Sequence, residues 1–492
     1  MIKDLFKDMA EYFPSMAIPA IVGILALPIV THLFPPADYG NYVLVIATVS
    51  ILSTLVGWVS MSVVRFYPAY EKEGKTAEFT ELTIKLTFLS IFVILVFSLC
   101  ILLPLKGYIP ENLYHLFGIG IIVFLFTSCF DVLLTFLRIK RRIKWYSGFF
   151  IWKSITALVF GVLFVILFHL GVEGLLWGTV LSVGLVLPVL WKIAVGKLRI
   201  ADKGIPLQPT IEMAKYSFPL VVGNLAAWIL SLSDRYVLEF YRGAHEVGIY
   251  SISYQISEYS IIFVISLFAL AFNPLAIITW EKEGEKASQK FVSKGTRYFL
   301  LLCIPAVVGI SVLRNPILNV LASPEYYAGA KIIPLVVSGV FFLGLMQRFG
   351  AGLSFYKKTH LSMFCIMASG LLNLGLNFLL IPKSGYMAAA GTTFVSYAFL
   401  LLSVIVVSRR FFVWEFPFRS LGKVVCASGV MGIVVYHIGN SLTSSTLLNL
   451  VLGIIVGVVV YSLMLLLLRE FKPGEIQVVL DLKDYIFAKK KL

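Results

Sequence analysis

Residues 231–254, SLSDRYVLEFYRGAHEVGIYSISY, place an Asp–Arg pair near the end of one long apolar run. A short polar corner follows, and Gly248-Ile249-Tyr250 heads the next run. Thr31-His32-Leu33-Phe34-Pro35-Pro36, leading into Ala37-Asp38-Tyr39-Gly40-Asn41-Tyr42, has the same layout. Superposed, Asp38-Tyr39-Gly40-Asn41-Tyr42 and Glu246-Val247-Gly248-Ile249-Tyr250 spell acid-x-Gly-x-Tyr twice, 208 positions apart. The echo extends both ways. Phe13-Pro14 matches Phe218-Pro219, each followed by a glycine in the same run (Gly23, Gly223). Glu71-Lys72-Glu73-Gly74 matches Glu281-Lys282-Glu283-Gly284, and Gly171…Gly178-Thr179 matches Gly385…Gly391-Thr392. Short matches mean little singly; several in one order, at offsets of about 205–214, indicate an internal duplication.

Of the 492 residues, 59% are hydrophobic and only 14% charged. Soluble chains carry about a quarter charged residues, and the apolar runs here are long enough to cross about 30 Å of hydrocarbon. The chain reads as an all-α polytopic membrane protein. Its net charge of +15 does not point to nucleic acid, because the Lys and Arg fall in alternate short loops, where membrane topology explains them. The five cysteines lie singly inside apolar runs, the pattern of neither a disulfide framework nor a metal cluster. The N-terminus is amphipathic and lacks a small-residue cleavage site after its apolar segment, unlike a cleaved signal.

Fourteen spans are predicted, six in each repeat and two appended. The first repeat holds 13–34, 40–64, 82–104, 113–137, 147–169 and 174–194. The second holds 213–241, 246–276, 295–313, 332–354, 359–381 and 386–408, and the appended pair is 420–438 and 445–468. Cations crowd the loops around 72–75, 138–144, 192–203, 282–294, 357–358 and 409–419; the opposite loops hold Lys106, Arg242, Arg314, Lys331 and Lys383. That asymmetry predicts both termini in the cytoplasm of a cell membrane. Six spans per repeat is an even number, so the copies insert in parallel, related by a pseudo-two-fold axis along the membrane normal with a cavity between them. The expected organisation is an N-terminal bundle (1–194), a cytoplasmic linker (195–212), a C-terminal bundle (213–408), two additional helices (409–469) and a basic tail (470–492).

No enzyme constellation appears. Gly74-Lys75-Thr76 looks like the end of a phosphate loop, but Ala69 stands where that motif needs glycine and no strand precedes it. Nothing implies a cofactor or a metal, and the loops opposite the basic ones leave no room for a catalytic domain. Charges within spans are therefore the informative residues, since one at a helix centre costs about 2.5–3.5 kcal/mol on insertion scales.

Asp131 and Lys153 fall at similar depth on adjacent spans, either as a structural pair or as charges lining a cavity. Asp234 and Arg235 sit inside the second bundle, where Arg235 is four residues from Glu239 and could pair with it. Glu258, near mid-membrane with Gln255 beside it, is the preferred acid for a coupling ion. Asn224 suits an interhelical hydrogen bond or ligand contact. Arg65, Arg297 and Arg348 lie near the basic ends of spans, as lipid anchors or as an anion-attracting mouth. Candidate substrate contacts are thus Arg65, Lys153, Arg235, Arg297, Arg348 and Asn224; candidate ion-coupling residues are Asp131, Asp234 and Glu258. Pro14, Pro19 and Pro28 bend the first span, as in moving transporter helices.

At the duplicated corners the chain resembles the oligosaccharide-lipid (polysaccharide repeat-unit) flippases of the multidrug/oligosaccharidyl-lipid/polysaccharide, MATE-like, exporter superfamily. Ser233-Asp234-Arg235-Tyr236-Val237-Leu238 and Val247-Gly248-Ile249-Tyr250-Ser251-Ile252-Ser253-Tyr254 look like the signature of their seventh and eighth helices. Leu33-Phe34-Pro35-Pro36-Ala37-Asp38-Tyr39-Gly40-Asn41-Tyr42 looks like their first corner. The resemblance covers about residues 10–410. It implies a V-shaped pair of bundles working by alternating access, with cationic residues holding a polyprenyl-diphosphate-linked oligosaccharide. It also implies membrane lipids as surroundings, polysaccharide polymerase or assembly proteins as partners, and H+ or Na+ as coupling ion. The two extra helices resemble those of fourteen-helix members, which include lipid II flippases. A cation-coupled multidrug antiporter and a lipid II flippase are the alternatives. Both usually carry charges in the first helix, and 13–34 has no acidic residue. A membrane polymerase would need a large outer loop that is missing here, and a purely structural assembly role is left open.

Overall fold

The computed structural model describes residues 2–196, 204–439 and 445–471; the expected linker and basic tail lie partly outside these. Among the described residues, 12 helical stretches are long and apolar enough to span a membrane. Two of them are broken in the middle. Ala244–Val312 breaks at Gly284 (φ 79°, ψ −168°) and Thr359–Ser408 at Gly385 (φ 54°, ψ −138°). Each pair of limbs folds back on itself: Phe272 stacks on Phe291 at 4.9 Å, and the Thr392 hydroxyl donates to Asn377. Counted as limbs, the spans number fourteen, as run length and charge alternation predict.

In chain order they are α1 Ile2–Leu33, α2 Pro36–Lys72, α3 Thr76–Leu102, α4 Glu111–Ile139, α5 Ile143–Phe168 and α6 Glu173–Ala194. The second repeat comprises α7 Leu207–Arg242, α8 (244–283), α9 (285–312), α10 Pro324–Phe349, α11 (359–384) and α12 (386–408). The appended pair is α13 Phe418–Gly439 and α14 Thr446–Leu467.

The duplication is visible in the corners. Gly74 and its counterpart Gly284 both have positive φ, as do Gly171 and Gly385. Arg141 and Lys357 make a further pair at φ 51° and 57°. Gly74, Arg141 and Lys357 close their helices alike. Lys75 N–H reaches Tyr70 O, Arg142 N–H reaches Leu137 O, and Lys358 N–H reaches Leu353 O, each satisfying a terminal carbonyl.

One membrane face carries the cation-rich corners at 73–75, 140–142, 356–358 and 409–417; we call it the basic face. The other, with corners at 34–36, 169–172, 243 and 385, is the sparse face. Each repeat has its own apolar core, the first around Phe79, Phe130 and Phe136, the second around Tyr250, Tyr254, Phe299 and Tyr397. A further core straddles both repeats toward the sparse face, joining Leu27, Val30 and Phe34 to Ile249, Ile252 and Tyr326. The appended helices pack on α9 through Leu301 against Val424 and Leu465, and Leu313 against Met431 and Val435.

Candidate functional site

The two bundles meet along a seam formed chiefly by α2 with α8 and α7, and each end of the seam is closed. At the basic face, the Ser62 hydroxyl of α2 lies 2.6 Å from that of Ser217 on α7 and donates to Met213 O. Trp58 stacks on Phe218 at 5.7 Å, and Phe66 meets Tyr216 edge-on. At the sparse face, Tyr326 donates to Phe34 O at 3.0 Å and Ser323 N–H to the Thr31 hydroxyl at 3.2 Å. Below these, Tyr39 pairs with Gln255, and Thr48 with Tyr236 at 2.6 Å.

Ser217, Asn224 and Ser231 recur every seven residues and so share one face of α7. Ser217 is buried against α2, whereas Asn224 is exposed and makes no hydrogen bond among the described residues. Glu258 of α8, close to Gln255 in sequence, is half-buried and likewise has neither a hydrogen bond nor an ion pair among the described residues. Arg65 projects, exposed and without a partner among the described residues, from the α2 turn that follows Ser62. Asn224 and Glu258 thus lie between the closed ends of the seam, and Arg65 lies on the basic-face side of Ser62.

The other candidates are committed elsewhere. Asp234 and Arg235, 1% and 3% exposed, bind each other at 2.8 Å inside the second bundle. Asp234 also accepts from Tyr250 and Thr393; Arg235 donates to Ser231 O and lies over the Tyr254 ring at 4.6 Å. The possible Arg235–Glu239 pair does not form: the adjacent carboxylate wins, and Glu239 Oε2 is buried without a partner among the described residues. Adjacent helical residues point about 100° apart, so only the length of the Arg235 side chain makes that pairing reachable.

Arg297 turns away from the seam toward the appended helices. Its Nε donates to Glu470 at 2.7 Å, and Ser420 and Lys423 join the same carboxylate at 2.6 and 3.4 Å. Burial alone would raise the Glu470 carboxyl; the Ser420 and Arg297 hydrogen bonds, the Arg297 charge and Lys423 outweigh it and hold it below the usual carboxylate range.

Arg348 is fully buried. None of its three guanidinium nitrogens has a hydrogen-bond partner among the described residues, and the group sits over Phe272 (4.4 Å), Phe268 (5.6 Å) and Phe299 (5.9 Å). In the first bundle, Lys153 is 3.9 Å from Asp131, with 26% and 52% of their side chains exposed, and lies over the Phe130 ring.

Sequence reasoning missed Ser62, Ser217 and Glu470. A lone serine in an apolar run has no periodic signal, and Glu470 sits just past the last span, where it reads as tail. The aromatic surroundings of Arg348 are equally silent, since phenylalanines are common along every span.

Comparison with known proteins agrees with this architecture. The family described as polysaccharide biosynthesis protein matches residues 6–280, and the MatE family matches 219–379. A relative from Haloferax volcanii, the "probable low-salt glycan biosynthesis flippase Agl15", is 22% identical over 337 residues, 68% of this chain and 67% of its own. Among solved structures, lipid II flippase MurJ in an inward closed conformation superposes with a TM-score of 0.78 at 17% identity, covering 94% of this chain and 99% of that one. An inward-facing multidrug resistance MATE family transporter gives 0.65 at 11% identity, covering 81% and 97%. These last two likenesses show the fold. With more than half of its length matched, the chain belongs to the polysaccharide biosynthesis protein family, within the MATE-like superfamily of exporters and flippases.

Proposed function

We propose that this protein is a flippase that moves a polyprenyl-diphosphate-linked oligosaccharide from the cytoplasmic to the outer leaflet of the cell membrane, for cell-surface polysaccharide synthesis. The basic face is then cytoplasmic, and both termini lie there. The observation that carries the reading is the seam closed at its two ends by separate sets of contacts, with Asn224 and Glu258, unpaired among the described residues, between those ends, and Arg65 just outside the Ser62–Ser217 end. A transporter needs two gates that open in turn and a polar space between them.

In this reading the Ser62–Ser217 end opens first. Its hydrogen bonds and ring contacts can be exchanged for water and headgroup contacts at small cost. Arg65, exposed at the mouth, attracts the diphosphate, and its guanidinium matches phosphate geometry with two parallel hydrogen bonds. Sugar hydroxyls exchange their water for Asn224 and Glu258, while the polyprenyl tail stays in lipid. Closure of the inner end and opening of the sparse face deliver the headgroup outside.

The test is reconstitution into liposomes with a short-chain labelled polyprenyl-diphosphate oligosaccharide. Protein-dependent leaflet exchange is expected, falling about 10-fold or more in Arg65→Ala, as for a lost charge-assisted contact of about 1.5–3 kcal/mol. Oxidising Ser62→Cys/Ser217→Cys should stop exchange, and reductant should restore it. No exchange in any condition overturns the reading.

Glu258 supports one second reading, ion coupling. A half-buried carboxylate without a fixed partner is suited to taking up H+ or Na+ as the seam opens. Cationic-dye extrusion driven by an ion gradient, in vesicles that move no sugar lipid, would make the protein an antiporter instead.

A further inference from the structure

The two glycines of the repeated corner meet each other. On α2, a Cβ at Gly40 would overlap the carbonyl oxygen of Ala244; on α8, a Cβ at Gly248 would overlap the carbonyl oxygen of Pro36. Gly40 and Gly248 are 208 positions apart, and so are Pro36 and Ala244. Each glycine therefore presses on the residue equivalent to the one its counterpart presses on. This is the reciprocity of a two-fold contact, and it puts the pseudo-two-fold axis through this crossing. Two backbones pack directly here, as small residues permit between membrane helices.

The opposite end of the seam is built differently. Ser62, Trp58 and Phe66 meet Ser217, Phe218 and Tyr216 mostly through side chains, which rotate and exchange partners readily. Backbone contact has no such freedom, and it is flanked by the Tyr326–Phe34, Ser323–Thr31 and Tyr39–Gln255 hydrogen bonds. An apolar core spans both bundles around it.

We propose that the Gly40–Gly248 crossing is the closing element of the outer gate. It makes that gate the tighter of the two, so that the empty protein opens toward the basic face and opens outward only when loaded. This rests on the alternating-access reading for its use, but the closure itself is testable without any substrate. The acid-x-Gly-x-Tyr repeat keeps its glycine in both copies because both copies supply one side of the same contact.

The experiment reads thiol accessibility in intact cells. Thr48→Cys, beneath the crossing, is treated from outside with a membrane-impermeant thiol reagent, and labelling of its peptide is followed by mass spectrometry. With Gly40 and Gly248 in place, labelling should be slow. Gly40→Ala or Gly248→Ala should speed it about 10-fold or more, the factor expected if one forced methyl biases the gate open. Gly391→Ala, where an added Cβ meets nothing within 4 Å, should leave it unchanged. Equal labelling in all variants overturns the proposal.

Should the alanine variants fail to fold, Thr31→Cys/Ser323→Cys provides the second arm. Its disulfide should lock the sparse face while a Ser62→Cys probe still reacts from the basic face. If that lock leaves sugar-lipid exchange running, the gate is not there. If the glycine variants open the gate and no lipid moves, the closure stands and the flippase reading fails.

Discussion

The two bundles share one plan and differ in what fills them. The second is cemented by buried polar groups: Asp234, Arg235, Tyr250 and Thr393 form one cluster, and Asn373, Asn377 and Thr392 a hydrogen-bonded chain between the limbs α11 and α12. In the first, the charges within spans that pair do so loosely, as Asp131 with Lys153 at 3.9 Å, or within one helix, as Lys85 with Glu81. Its surface carries apolar pockets of 260 and 190 Å³, one beside Phe88 and Trp191, the other beside Phe97 and Ile121. The pairing in the second bundle is incomplete: Glu239 Oε2, Asn373 Nδ2 and the Arg348 guanidinium are buried there without a hydrogen-bond partner among the described residues. The two bundles thus differ in how their buried polar groups are paired, and α1 of the first carries three internal prolines.

Asp234→Ala tests the contrast most severely. It strands Arg235 in the second bundle and should cost about 3–5 kcal/mol in thermal or denaturant unfolding. Asp131→Ala should cost no more than about 1 kcal/mol, because its pair is long and half-exposed. Equal losses would erase the distinction between the bundles. Next in size, Arg348→Leu should stabilise the protein by about 1–3 kcal/mol, because it removes a buried donor that makes no hydrogen bond. If cation–π contact with Phe268, Phe272 and Phe299 offsets that burial, at about 2 kcal/mol or more for a desolvated group, unfolding will be unchanged or worse.

A smaller effect sharpens the comparison at the appended helices. Glu470 has its carboxyl depressed below the ordinary value of 4.5, so the Arg297–Glu470 contact adds stability that is fully present above pH 4.5. That stability is lost as pH falls through the lower folded value. Hydrogen exchange in α13 and α14 should therefore quicken on acidification below 4.5, and Glu470→Gln should remove the dependence. A pH-insensitive α13–α14 pair would mean that Leu301, Val424 and Leu465 hold it without the charge.

Much of the architecture could be read in advance, for specific reasons. Run length and loop charge gave fourteen spans because hydrocarbon admits only long apolar segments. The glycine echoes located four corners because positive φ is freely available only to glycine; Gly74, Gly284, Gly171 and Gly385 all adopt it. Arg141 and Lys357, which adopt it too, carry no such mark and passed unnoticed.

The candidate residues were legible as a set and illegible in their roles. Of nine, Arg65, Asn224 and Glu258 border the seam without partners among the described residues, Arg297 faces α13 and α14, and Asp234, Arg235 and Arg348 are sealed inside the second bundle. Asp131 and Lys153 pair within the first bundle. A helix that is apolar on every side carries almost no amphipathic signal, so its rotation about its own axis is unwritten in composition.

By itself, the amino-acid sequence determined that the chain spans the membrane fourteen times in two parallel repeats with an appended pair, since those follow from length, charge and local backbone freedom. Only the tertiary structure decided that Gly40 lies on Ala244 and Gly248 on Pro36, that Ser62 meets Ser217, and that Arg297 belongs to Glu470. Such pairings join residues up to 212 positions apart, and what selects them is the close packing of helices against one another, which no local stretch contains.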